Sequence, residues 1–373
     1  MKLAIQQGAL LDILRTVKPA VTGRSVQPVQ NCYHLAAADD DTLTVRGTDL
    51  ETLGIDASVT AIVTEPGTTC INAKRLLATV QALPGTGLDI ETDDKHGITI
   101  ATSNGDMMVT LPGLNPEDYE YMQAVGDDHT ALTLPAADLR RAIDHTVYAC
   151  STDYTRPILT GMLLSIEDGI LYCVATDTYR MPVYSIPAPQ DTPEMATIIP
   201  AAAMRSIAHA LPGDGNVTLR IDGHILSATV GGTTYSTRPI DGQFVAWRKV
   251  VPDTADYTTR IECEAGALID VLHALKPAAD TDAGRVVWTV ADGTLTMRAG
   301  GMDGTARAVA EADCSGEPIE IGVNVEYVLD GVEHLRPDGM VEIGMRGPDA
   351  SIHFSAPSLP QWRYVVMPMQ VLS

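Results

Sequence analysis

Two acidic clusters are the residues that could most readily do chemistry. Asp39-Asp40-Asp41 and Asp93-Asp94 could hold a divalent cation and activate a water for hydrolysis. Each lies between two runs of alternating apolar and polar residues, which is where a hairpin turns, and Asp is a favoured turn residue in its own right. The nine histidines are scattered, and there is no HExxH, GxSxG or GxxxxGK[ST]. Six cysteines (Cys32, Cys70, Cys150, Cys173, Cys263, Cys314) show neither a CxxC nor a zinc spacing and read as buried thiols of a reducing cytoplasm. No catalytic centre, metal or cofactor is expected, and a metal-dependent hydrolase is the weaker reading.

The remaining chemistry is binding, and it repeats. Leu43, Leu171 and Leu295 each follow an acidic turn and open a short strand, at spacings of 128 and 124 residues. A second set keeps nearly the same period: Ile71-Asn72-Ala73 to Leu83-Pro84-Gly85, Ile199-Pro200-Ala201 to Leu211-Pro212-Gly213, and Ile321-Gly322-Val323 to Leu335-Arg336-Pro337. Solenoid repeats run roughly 20–50 residues, so a unit this long is a whole domain. Three tandem copies follow, 1–126, 127–254 and 255–373, with boundaries in polar turn clusters near Gly126-Asp127 and Pro252–Asp256.

Each copy divides into two halves, a helix followed by strands. The periodicity predicts helices over 7–18, 136–148 and 265–276 in the first halves and 73–82, 201–210 and 325–335 in the second. Leu10, Ile13, Leu14 and Val17 place one apolar face on the first helix, Leu139, Ala142, Ile143 and Thr146 on its equivalent, and Leu268, Val271, Leu272 and Leu275 on the third. Runs such as Leu88–Thr92, Ile98–Thr102 and Met107–Leu111 alternate with period two around Asn-Gly and Asp-Gly turns, the pattern of antiparallel hairpins. The fold class is α+β.

Composition sharpens the binding chemistry. The net charge is −23 and only 5% of residues are aromatic, so the chain does not coat nucleic acid uniformly. Its helices nevertheless carry Arg15, Lys18, Lys74, Arg75, Arg140, Arg141, Arg205, Lys276 and Arg336 against seven acids (Asp12, Asp138, Asp144, Asp270, Glu326, Asp330, Glu333). Basic helices on one side and acidic sheets on the other suit a curved object with a positive concave face. Six helices set side by side in a circle leave an opening of about 9 Å, narrower than the roughly 12 Å major groove, whereas twelve leave roughly 28 Å. One chain cannot encircle DNA; two can. The N-terminus lacks the apolar region of a signal peptide and no run of about 18 apolar residues occurs, so no membrane association is expected.

Four words in order carry a resemblance: Gly47-Thr48-Asp49-Leu50-Glu51, the stretch Val174–Met181, the stretch Ile321–Asp330, and the ending Tyr364-Val365-Val366-Met367-Pro368-Met369. With the threefold repeat, the chain resembles the bacterial sliding clamp, the beta subunit of DNA polymerase III, from end to end. The resemblance implies a head-to-tail homodimer of six DNA-clamp domains around double-stranded DNA, without catalysis. It also implies partners carrying clamp-binding motifs: the polymerase alpha subunit, the clamp loader, and other replication and repair proteins.

The resemblance places an apolar peptide pocket between the second and third copies. Leu159, Thr176, Thr178, Tyr179, Arg180 and Met181 match one wall, and Val245, Lys249 and Val250 match the segment closing the second copy. Ser351, Val365, Val366, Met367, Pro368 and Met369 match the third copy's wall, with Arg180 expected to orient the motif. Arg24 and Lys74 match positions that touch the duplex. The chain has Thr178-Tyr179 where the family usually has Gly-His, and Val245 where it has Pro. A divergent second clamp or a monomeric peptide-binding scaffold is the alternative.

Overall fold

A computed structural model describes every residue except 127, 191, 252–255, 280–283, 302–303, 336–338 and 372–373. The boundary positions near 127 and 252–255, and Arg336, thus lie outside the described residues. In the first copy β1 (Lys2–Gln6) runs directly into α1 (Gln7–Val17), followed by β2 (Cys32–Ala38), β3 (Thr42–Thr48), β4 (Gly54–Thr60), β5 (Ile62–Glu65) and β6 (Gly67–Asn72). Its second half is α2 (Ala73–Ala82), β7 (Gly87–Thr92), β8 (Ile98–Thr102), β9 (Met108–Leu111) and β10 (Gly113–Leu114). The second copy has β11 (Thr130–Pro135), α3 (Ala136–Asp144), β12 (Gly161–Glu167), β13 (Ile170–Val174), β14 (Arg180–Pro187) and β15 (Met195–Pro200). It continues with α4 (Ala201–Ala210), β16 (Asn216–Ile221), β17 (Leu226–Val230) and β18 (Thr233–Thr237). The third has β19 (Thr259–Glu264), α5 (Ala265–Leu275), β20 (Arg285–Ala291), β21 (Thr294–Gly301), β22 (Gly304–Ala310), β23 (Asp313–Gly316) and β24 (Ile319–Asn324). It closes with α6 (Val325–Val332), β25 (Met340–Met345), β26 (Ile352–Ser355) and β27 (Trp362–Val366).

The threefold repeat holds down to single backbone angles. Asp41, Asp168 and Asp292 precede the expected strands at φ 59°, 50° and 51°, a left-handed conformation that Asp tolerates in tight turns. Each first-half helix starts straight from a strand, and its first N–H donates to a carbonyl in the turn before the second-half hairpins: Gln7 to Thr86, Ala136 to Gly215, Ala265 to Gly339. These bonds satisfy one of the amides that a helix start leaves without an intrahelical partner. α2 and α6 carry Asn caps, Asn72 accepting from Arg75 N–H and Asn324 from Glu326 and Tyr327 N–H, and the first N–H of α6, on Val325, also donates to the Gly284 carbonyl.

Buried Leu10, Ile13, Leu14 and Val17 form the core face of α1, as the periodicity requires. On α5 the buried set is Leu268, Ile269, Leu272 and Leu275, with Ile269 in the place expected for Val271. α3 stops at Asp144, four residues short of the expected end. Just beyond its end the chain tightens, Thr146 N–H donating to the Ile143 carbonyl while Thr146 Oγ1 donates to the Ala142 carbonyl at 2.6 Å.

Two compact units emerge, 1–137 with 202–239 and 138–201 with 240–373, so the second copy contributes to both. The first unit holds a five-stranded sheet, β5-β1-β7-β8-β9, and a nine-stranded one, β10-β6-β2-β3-β4-β18-β17-β16-β11. The second holds a nine-stranded sheet, β15-β12-β13-β14-β27-β26-β25-β19-β23, and a four-stranded one, β22-β21-β20-β24. Each nine-stranded sheet joins the first half of one copy to the second half of the next through an antiparallel edge pair, β4 with β18 and β14 with β27. Asp39–Asp41 and Asp93-Asp94 sit in hairpin turns, and among the described residues no group of three His, Cys, Asp or Glu could hold a metal. Among the described residues no helix is long and apolar enough to cross a membrane.

Candidate functional site

The β14–β27 joint builds a cavity in the second unit. Before β14, Thr176 Oγ1 accepts from Thr178 N–H and donates to the Arg180 carbonyl, while Asp177 Oδ1 accepts from the N–H groups of Tyr179 and Arg180. That turn forces Thr178 to φ 82°, unusual for a β-branched residue. Arg180 then pairs with Val366 and Met181 with Val365, and Met367 N–H donates to the Tyr179 carbonyl at 2.8 Å. The cavity has a volume of about 310 Å³. Thr176, Thr178, Tyr179, Arg180, Met181, Val245, Val250, Val365 and Met367 line it. Met181 and Val365 belong to a buried cluster with Trp247, Leu163 and Val174, so the floor is fixed by packing. Tyr179 and Met367 stay exposed at the rim, where a polarizable thioether can adapt to different side chains.

Nine of the residues matched from the sequence therefore share one cavity. The others do not line it. Leu159 is buried in a short helical turn, Pro157–Leu159, and Val366 is fully buried. Ser351 Oγ is hydrogen-bonded to His353 Nε2, and Lys249 lines an adjoining cleft. Pro368 is half-buried, and Met369 N–H donates to the Gly322 carbonyl. The Met369 carbonyl lies 2.6 Å from where a Cβ on Gly322 would stand, and Arg285 donates to the Gln370 carbonyl. The C-terminal segment is pinned to the third copy, not loosely appended.

Arg180 lines the cavity and is held in place by partners within its own chain. Its Nε donates to Asp177 at 3.0 Å, one guanidinium nitrogen to Asp330 and the other to the Tyr148 carbonyl, and the plane lies 4.7 Å from the Tyr327 ring centroid. Burial opposes its charge, but Tyr364, Asp330 and Asp177 outweigh that and raise its pKa. Its hydrogen bonds fix the position from which it lines the cavity. Tyr327 and Asp330 belong to the matched stretch Ile321–Asp330, yet only the folded joint brings them to Arg180.

The basic helix residues divide by unit. Arg15, Lys18, Arg24, Lys74 and Arg75 of the first copy are exposed and make no ion pair among the described residues. Arg140 pairs with Asp144 at 3.8 Å, Arg141 with Asp138 at 3.9 Å and Lys276 with Glu326 at 2.8 Å. Arg205 is exposed and lines a groove of about 820 Å³ with Arg15 and His209.

Three family models cover the chain in order: the DNA polymerase III beta subunit N-terminal domain over 1–123, its central domain over 133–245 and its C-terminal domain over 248–370. The beta sliding clamp of Escherichia coli K12 is 27% identical over 375 residues, covering 100% of both chains. That of Synechocystis is 26% identical over 398 residues, again with full coverage of both. The crystal structure of the DNA polymerase III subunit beta from Pseudomonas aeruginosa superposes over 100% of both chains, with TM-score 0.91 and 26% identity. The Bacillus subtilis sliding clamp shares the fold, at TM-score 0.93 and 21% identity over both full chains. The chain belongs to the sliding clamp family, the beta subunit of DNA polymerase III.

Proposed function

We propose that two copies close head to tail into a ring around double-stranded DNA, six domains (1–126, 127–254 and 255–373 from each chain), acting in the cytoplasm without catalysis. The apolar pocket would tether the polymerase alpha subunit, the clamp loader and other replication and repair proteins through short motifs, giving processivity. One observation carries this reading: β9 and β22 are the leftover edges. Within the chain, the outer strand of each first half pairs with the outer strand of the next second half, as β4–β18 and β14–β27. The pattern leaves β9 at the edge of a five-stranded sheet and β22 at the edge of a four-stranded one. Joined across two chains they would make a third sheet of nine, like the other two.

Exposed edges seek partners, and Met108 and Val309 on these strands are 70% and 56% exposed. A head-to-tail interface that repeats after a half turn closes into a ring. The exposed, unpaired cations of the first copy support a phosphate-facing helix surface. Light scattering tests the closure: the wild type should give about 80 kDa, twice the 39.7 kDa chain. Met108→Glu with Val309→Glu should give the single-chain mass. A wild-type monomer would favour the peptide-binding scaffold instead.

A further inference from the structure

We propose that a cleft beside the apolar pocket, lined by Arg248, Lys249, Arg346 and Arg363, receives acidic side chains that flank the apolar motif of a partner polypeptide. This rests on the pocket reading and extends it to the motif's neighbours.

The cleft has a volume of about 680 Å³, and of its twelve lining residues four are cations and one, Asp256, is a carboxylate. The chain as a whole runs the other way, with 25 Lys and Arg against 48 Asp and Glu. Arg248 forms a fixed wall: it donates to Glu167 at 2.6 and 3.0 Å and lies over the Trp247 and Tyr172 rings. Lys249, Arg346 and Arg363 are exposed and make no ion pair among the described residues. The field they create is felt nearby. His353 is pulled down to about 4, first by burial and then by Arg346 and Arg363.

Pocket and cleft are neighbours, lined by adjacent residues of the same segment and the same strand pair. In the segment 245–251, Val245 and Val250 line the pocket while Arg248, Lys249 and Val251 line the cleft. Along the strand joint, Met181 and Val365 line the pocket, and Val183 and Arg363 line the cleft. Those positions are two residues apart on the same sheet face, about 7 Å. An extended peptide anchored in the pocket would need only a few more residues to reach the guanidinium groups.

The positive charge is not a requirement of the joint. Val183 lies opposite Arg363, whereas its counterpart 128 residues earlier in the first unit, Ile55, lies opposite Tyr235 and meets no cation there. A guanidinium fork matches a carboxylate with two parallel hydrogen bonds. A nucleic-acid strand fits less well. Glu262 and Glu342 line the adjoining cavity that shares Arg363, and an acidic chain repels a long polyanion more than a few carboxylates.

The test compares a peptide carrying only an apolar clamp-binding motif with versions extended by three Asp at either end, using calorimetry on the full chain. One extended peptide should bind about 10-fold more tightly near 50 mM salt, with the gain shrinking below about 2-fold near 0.5 M. The Arg346→Gln/Arg363→Gln variant should bind the plain peptide as the wild type does and lose the gain. Equal binding of plain and extended peptides to the wild type, or a gain that survives in the double variant, overturns the inference while leaving the pocket intact. If no peptide binds, the pocket reading fails and the inference falls with it. A single-stranded oligothymidylate that binds the wild type but not the double variant, with no gain from Asp, would assign the cleft to nucleic acid and overturn the proposal.

Discussion

Arg180 at the start of β14 donates to the carboxylate of Asp330 on α6, tying the second copy to the third directly behind the pocket rim. The arginine side chain is 11% exposed and also holds Asp177, which organises the turn carrying Thr178 and Tyr179. Arg180→Ala should therefore lower unfolding stability by about 2–3 kcal/mol and weaken peptide binding through a loosened turn. Arg180→Lys should restore little, because a point charge cannot serve three acceptors in a plane. Denaturant unfolding beside peptide calorimetry checks both. Unchanged stability with weaker binding would mean that the arginine contacts the peptide instead of positioning the rim.

Thr178 holds a left-handed φ of 82° that suits glycine. Thr178→Gly should relieve strain and raise stability by about 1 kcal/mol, a melting increase of roughly 1 °C in a chain this size. Because Thr178 also lines the cavity, peptides fitted to clamps with Gly-His at this turn should bind the variant more tightly. A drop in melting temperature would show that the threonine side chain is held by favourable contacts.

Much of this fold is legible in the chain. The three Asp turns and the apolar stripe of α1 follow from local rules, and the structure places them as expected. What local patterns do not encode is which edges meet. β4 pairs with β18 across more than 170 residues of sequence, so each domain copy donates its halves to different sheets. Nine residues named from the matched words and the segment closing the second copy meet in one cavity. The direction of Arg180 is not legible in those words, since it depends on Asp330, 150 positions away. The end of α3 at Asp144 does not show in the apolar stripe, because buried Thr146 continues that stripe beyond the helix.

Acid should weaken the protein through buried imidazoles. His34 is pulled from 6.5 to about 4 by burial and Arg46, and His353 to about 4 by burial, Arg346 and Arg363. Their folded pKa values lie below the unfolded one, so the unfolded chain binds more protons between these limits. Stability is then full above pH 6.5 and falls as pH drops toward 4, by about 3 kcal/mol for each histidine at the bottom of that window. His34→Gln and His353→Gln should flatten the profile of melting temperature against pH. An unaltered slope in both variants would place the acid sensitivity elsewhere.

DNA affinity should depend on the first copy more than on the second. Lys74 and Arg75 make no ion pair among the described residues, whereas Arg140 and Arg141 are matched by Asp144 and Asp138. On linear duplex, Lys74→Ala with Arg75→Ala should reduce the slope of log affinity against log salt by about 2. Arg140→Ala with Arg141→Ala should change it by less than half as much. The reverse order would move the phosphate-facing surface to the second copy.

The central claim is that binding is topological, and retention on DNA of different topology tests it most directly. The chain, loaded onto nicked circular duplex with a bacterial clamp loader, is washed at about 0.5 M salt, where attraction to phosphates is largely lost. A closed ring should stay on the circle and run off once the same DNA is cut to a linear form. Equal, salt-sensitive loss from circular and linear DNA would contradict the ring and leave a protein that only touches the duplex.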